Sequence, residues 1–113
     1  MLNSSITHGL PEDALLKICR VFQQFQQVKK VILYGSRSTG IYRSTSDIDM
    51  TIEGMIDFTD FLKLAGQLDD LMLPWKIDLS ILEQIDNPAL VEDIARTGKI
   101  LFQRSDPDPE PNS

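Results

Sequence analysis

Ile48, Met50 and Ile52 alternate with Asp47, Asp49 and Thr51, and this period-two pattern constrains the fold more than any other stretch. Side chains of a strand point to opposite faces in turn, so the apolar set meets a core while the two acids share the other face. Trp75, Ile77, Leu79 and Ile81 repeat the device, alternating with Lys76, Asp78 and Ser80. If the two strands are neighbours, Asp47, Asp49 and Asp78 converge on the sheet face that helices leave open. Three bare carboxylates brought together repel and do not all stay ionised. A divalent cation removes the conflict, and oxygen-only ligands favour Mg²⁺ or a similarly hard ion. The competing use of such acids is a solvated polar strand face.

Helical periodicity frames these strands. Leu15, Ile18, Cys19, Phe22 and Phe25 recur at spacings of three and four, which predicts an amphipathic helix opening near Pro11. Val31–Tyr34 is a short β-prone run stopped by Gly35, and Gly40 with Arg43–Ser46 forms a loop. Asp57 is placed to cap a second helix, with an expected apolar stripe of Phe58, Phe61, Leu62, Ala65, Leu68, Leu71 and Met72. Pro74 closes it. Asn87-Pro88 opens a third helix with Leu90, Val91, Ile94 and Ala95 inward, and Gly98 is expected as its left-handed stop. Lys99–Phe102 reads as a last strand. Alternating helices and strands give an α/β class with a helix-covered sheet.

Composition narrows the function classes. The 113 residues suit one core, expected over residues 1–104. Ser105–Ser113 holds three prolines and no apolar residue, so a disordered acidic tail is expected there. Its Asp106, Asp108 and Glu110 supply three of the six surplus negative charges. A net charge of −6 argues against a broad surface for duplex nucleic acid. No apolar run approaches the roughly 18 residues of a membrane span, and no secretory signal is visible at MLNSSITHGL. The single Cys19 excludes an internal disulfide and a cysteine-based zinc site, so a reducing cytoplasm is the expected location. Cys19 itself reads as inert core, His8 as exposed, and Trp75 as core rather than a base-stacking platform.

Gly35-Ser36 stands ten residues before Asp47, giving the pattern G-S-x(10)-D-x-D. A glycine there lets the backbone approach a bulky anion, the amides of a following helical turn can bind phosphate, and the serine hydroxyl adds a hydrogen bond. Gly35–Gly40 matches the first part of a P-loop, but Ile41-Tyr42 replaces the Lys-Ser/Thr ending and excludes that motif. The stretch LYGSRSTGIYRSTSDIDM resembles the signature of the minimal nucleotidyltransferases, small members of the DNA polymerase β-like superfamily. The later Lys76-Ile77-Asp78-Leu79 resembles the strand that carries that family's third acid. The resemblance covers roughly residues 28–102.

The resemblance implies a polymerase β-like palm, a small mixed sheet covered by helices on one face. It implies that Asp47 and Asp49 hold the metal bridging the phosphates of a nucleoside triphosphate, and that Asp78 binds a second metal and favours deprotonation of the attacking hydroxyl. Gly35 and Ser36 would hold the β- and γ-phosphates, and Arg37 would touch the triphosphate. The implied reaction moves a nucleoside monophosphate, AMP from ATP, with two Mg²⁺ ions. Minimal proteins of this kind pair with a separately encoded α-helical HEPN ribonuclease, which they neutralise as antitoxins, in some cases by adenylylating a tyrosine. The expected function is therefore protein adenylylation of a HEPN partner. The alternative is a nucleotide-binding subunit that restrains such a partner by contact alone, which would not require three clustered acids. A small-molecule nucleotidyltransferase is disfavoured because no substrate-holding domain follows.

Overall fold

The computed structural model describes residues 6–104. The tail expected beyond Arg104 lies outside them. A two-stranded hairpin, β1 (Ile6–Thr7) and β2 (Leu10–Pro11), leads into helix α1 (Glu12–Gln23), for which Pro11 is the N-terminal flanking residue. Strand β3 (Val28–Tyr34), the single-turn helix α2 (Ser36–Thr39) and strand β4 (Ile48–Gly54) follow. Helix α3 (Phe58–Asp69), strand β5 (Ile77–Ile81), helix α4 (Pro88–Thr97) and strand β6 (Lys99–Gln103) complete the order. Phe25 lies beyond the end of α1, in the turn before β3, yet is buried as its apolar character requires.

The sheet is mixed, in the order β5-β4-β3-β6. β4 and β5 are parallel and the other pairs antiparallel. Val31 and Leu33 of β3 and Ile48, Met50 and Ile52 of β4 are fully buried, together with Ile18 and Phe22 of α1 and Leu64 of α3. Helices α1 and α3 thus cover one face, as the strand alternation requires. Helix α4 packs at the far end of the opposite face, where Ile94 is buried and Ile32 projects towards Gly98. The acids occupy the other end of that face.

The expected Asp57 cap is present, and Asn87, expected to open the third helix, caps it. Asp57 Oδ1 accepts from the Asp60 amide at 2.8 Å, and Asn87 Oδ1 accepts from the Ala89 and Leu90 amides at 3.0 and 3.2 Å. Each accepts donors that the first turn leaves without a partner. Ala95, expected inward on α4, is exposed, and two further expectations are corrected. The apolar stripe of α3 is centred on Leu64 and Leu68, whereas Phe58, Leu62 and Met72 are exposed. Gly98 has φ −66° and is not a left-handed stop. It is small because a Cβ there would collide with the Ile94 carbonyl and approach Ile32 Cγ2 to 2.5 Å. The Cys19 thiol is half-buried and donates to the Leu101 carbonyl at 3.6 Å, with its pKa raised by burial, which suits an inert core residue.

Candidate active site

Register brings the acids together. Asp49 of β4 is the parallel partner of Asp78 on β5 and the antiparallel partner of Tyr34 on β3. Since neighbouring strands lie about 4.8 Å apart, Tyr34, Asp49 and Asp78 form one row across three strands. Asp47 sits just before β4, two residues from Asp49. Asp47 and Asp78 are exposed and Asp49 is half-buried. The condition on which the sequence expectation rested, that the two acid-bearing strands are neighbours, is therefore met.

Electrostatics shows what the row does to its middle member. The Asp49 carboxyl is held above the usual carboxylate range by burial first, then by the charges of Asp78 and Asp47, while Lys76 opposes them. Tyr34 is shifted upward too, chiefly by burial, with Asp49 and Asp78 adding to the rise and Ser80 countering it. A site that penalises its own negative charge suits a cationic ligand, and the donors available are oxygens alone, as a hard divalent ion prefers. Among the described residues, no three His, Cys, Asp or Glu side chains stand as a closed coordination cluster. The acids share a face rather than a finished cage.

Gly35 ends β3 with φ 78° and ψ −153°, a conformation that residues with a Cβ rarely adopt. A Cβ here would lie 2.6 Å from Asp49 Oδ2, so the turn and the second acid are in direct apposition. Ser36 begins α2, whose short coil is tied by Ser38 Oγ donating to the Gly35 carbonyl at 3.0 Å and ended by left-handed Gly40.

Arg37 departs from its expected place. Its exposure is 1%, and its guanidinium donates inward to backbone carbonyls, including that of Ser46 at 2.9 Å and that of His8 at 2.9 Å. Contact with a triphosphate would require those bonds to break. His8, expected to be exposed, is half-buried by the same arrangement. Trp75 is half-buried against the core, and its Nε1 donates to the Ser44 carbonyl at 2.8 Å. Sequence reasoning left Tyr34 unassigned. The signal that could have found it is parity, because Tyr34 faces opposite to Leu33 and so joins the acid row.

Comparison with known proteins agrees with this geometry. The polymerase beta nucleotidyltransferase family model matches residues 16–107. A protein of Methanocaldococcus jannaschii, named "Putative protein adenylyltransferase", is 32% identical over 85 residues, covering 74% of this chain and 86% of that protein. Among solved structures, a chain of a toxin–antitoxin complex with AMP-PNP superposes with a TM-score of 0.62 at 24% identity, over 85% of this chain and 76% of that one. A chain from the complex of tri-AMPylated Shewanella oneidensis HEPN toxin with its MNT antitoxin gives a TM-score of 0.61 at 21% identity, over 82% and 72%. At these identities the two structures speak for the fold. With a family match spanning most of its length and an acid row formed by adjacent strands, the chain belongs to the polymerase beta nucleotidyltransferase family.

Proposed function

We propose that this chain is a Mg²⁺-dependent protein adenylyltransferase that moves AMP from ATP to a hydroxyl of an α-helical HEPN ribonuclease, and so acts as its antitoxin. The observation that carries the reading is the Asp49–Asp78 register, with Asp47 two residues upstream and Gly35 against Asp49. The protein adenylyltransferase name of the archaeal relative and the AMPylated HEPN toxin of the structural neighbour support the same chemistry.

Asp47 and Asp49 would hold the metal with Asp78 beside them, and the ion would supply charge neutralisation of the phosphates and acidify a nearby hydroxyl. Phosphate oxygens would complete a ligand set that the three acids leave open. Gly35 gives the phosphates a backbone with no side chain in the way, and the Ser36 hydroxyl donates a hydrogen bond to them. Asp78, exposed at the row's end, accepts the proton of the attacking hydroxyl. The acceptor oxygen forms a bond to the α-phosphorus, the bond from that phosphorus to the bridging oxygen breaks, and pyrophosphate leaves. Much of the rate then comes from holding the two reactants in line. Asp47 and Asp78 are exposed, so a folded protein can present its hydroxyl to them without entering a pocket.

The test is transfer of labelled AMP from ATP to the co-purified helical partner, read by intact mass. A mass increase that requires Mg²⁺ and disappears in Asp47→Ala/Asp49→Ala is the expected result. Neutralisation of the partner with no mass change under any metal condition would instead select restraint by contact alone.

A further inference from the structure

Arg37 follows Gly35-Ser36 directly and is one of the largest fully buried side chains. A guanidinium keeps its charge near neutrality, so burial costs free energy unless its donors meet acceptors. The acceptors here come from segments far from α2. Nε and Nη2 converge on the Ser46 carbonyl at 3.2 and 2.9 Å, and Nη2 also reaches the Ser44 carbonyl at 3.4 Å. Nη1 turns the other way, to the His8 carbonyl at 2.9 Å. The Tyr42 and Trp75 rings lie 5.3 and 5.9 Å from Cζ, and Trp75 Nε1 donates to the Ser44 carbonyl from the second side. Ser46 is the residue before Asp47. One side chain therefore joins the Gly35-Ser36 turn to the backbone that carries the first acid.

We propose that Arg37 is a positioning residue for the acid site, fixing segment 43–47 so that Asp47 stands beside Asp49. Its consequence for nucleotide binding rests on the metal-dependent reading above, whereas the positioning itself does not. The task needs arginine because a planar fork grips one carbonyl with two donors while a third points elsewhere, which an ammonium cannot do. The turn at His8-Gly9 completes the clamp, since a Cβ on Gly9 would collide with the Tyr42 ring and come within 2.8 Å of Arg37 Nη1.

The experiment compares wild type, Arg37→Lys and Trp75→Phe, each as the full chain. Amide hydrogen exchange in metal-free protein comes first. The Arg43 amide is bonded to Ser46 Oγ, the Ser46 amide to the Arg43 carbonyl and the Ile48 amide to the Lys76 carbonyl. In Arg37→Lys these amides are expected to exchange about tenfold faster while those of α3 keep their rates, as a local opening requires. Calorimetry with ATP follows. Weakening of about tenfold at limiting Mg²⁺, with recovery at saturating Mg²⁺ and no change in metal-free ATP binding, is the result expected of a residue acting through a ligand. Unchanged exchange over 43–48 in a folded variant would overturn the proposal. So would equal loss of ATP binding with and without metal, the result of direct phosphate contact. Should Arg37→Lys not fold, Trp75→Phe decides, because it keeps a ring over Arg37 and removes one bond to Ser44. A rise confined to 43–48 supports the clamp, and a uniform rise along the chain overturns it. Failure of wild type to bind Mg²⁺ with ATP would remove the functional reading, and the exchange data would still decide the positioning.

Discussion

A methyl group on Gly35 would lie 2.6 Å from Asp49 Oδ2, so the turn that ends β3 touches the second acid. Gly35→Ala therefore meets two obstacles. Its φ of 78° with ψ of −153° strains any residue with a Cβ by about 1–3 kcal/mol. The Asp49 carboxylate must also swing away, leaving the row it shares with Asp78. The expected outcome is a lower melting temperature together with loss of Mg²⁺-dependent ATP binding, seen by thermal shift and calorimetry. A variant that binds ATP as wild type does would separate the turn from the site.

The raised pKa of Asp49 has a sign that can be tested. A carboxyl whose folded pKa exceeds its unfolded one binds more protons in the native state, so it favours folding at low pH. That contribution is lost as pH rises from the ordinary carboxylate range through the raised value. At neutral pH without metal, Asp49 is thus a net burden, and Asp49→Asn should raise the melting temperature by about 2 °C, a small shift for a chain of this length. Added Mg²⁺ should stabilise wild type and leave the variant where it was. Equal Mg²⁺ shifts in both proteins would place the ion elsewhere.

On the proposed reading, Asp78 would divide binding from chemistry. It stands at the exposed end of the row, where an incoming hydroxyl would arrive. Asp78→Asn keeps the shape and one oxygen but loses the charge that would accept the proton. Transfer of AMP should fall by a factor of about 100 to 10,000, the scale of general acid–base contributions, while most ATP binding persists. Single-turnover transfer beside equilibrium binding measures both, and parallel loss of the two would assign Asp78 to binding instead.

The convergence of Asp47, Asp49 and Asp78 and the sharp turn at Gly35 were legible in the sequence, where strand parity and spacing decide. Arg37 was not, because an arginine in a four-residue coil carries no periodicity. Its burial depends on carbonyls supplied by His8, Ser44 and Ser46, which only tertiary structure brings together. The phase of α3 was illegible for another reason. Its apolar residues spread over nearly half of its circumference, so a stripe centred on Phe61, Leu64 and Leu68 is as good as one through Phe58 and Leu62. Packing against α1 and β5 selects the first. Met72, expected on the stripe, has φ 57° and leaves the helix, exposed.

Gly98 gives a test of the same lesson in stability. Were it a left-handed stop, asparagine would replace it at little cost, since asparagine tolerates that conformation. Its observed φ of −66° and ψ of 152° suit any residue, so backbone strain plays no part. The obstacle is space, because a Cβ would collide with the Ile94 carbonyl and sit 2.5 Å from Ile32 Cγ2. Gly98→Ala and Gly98→Asn should therefore both destabilise, by about 1–3 kcal/mol, the usual cost of overpacking. Removing Ile32 Cγ2 relieves one of the two contacts and not the other. In a double-mutant cycle, Ile32→Ala should consequently recover part of the Gly98→Ala loss, with a measurable coupling between the two sites. Strict additivity in denaturant unfolding, or tolerance of asparagine alone, would show that α4 does not press on β3 at this point.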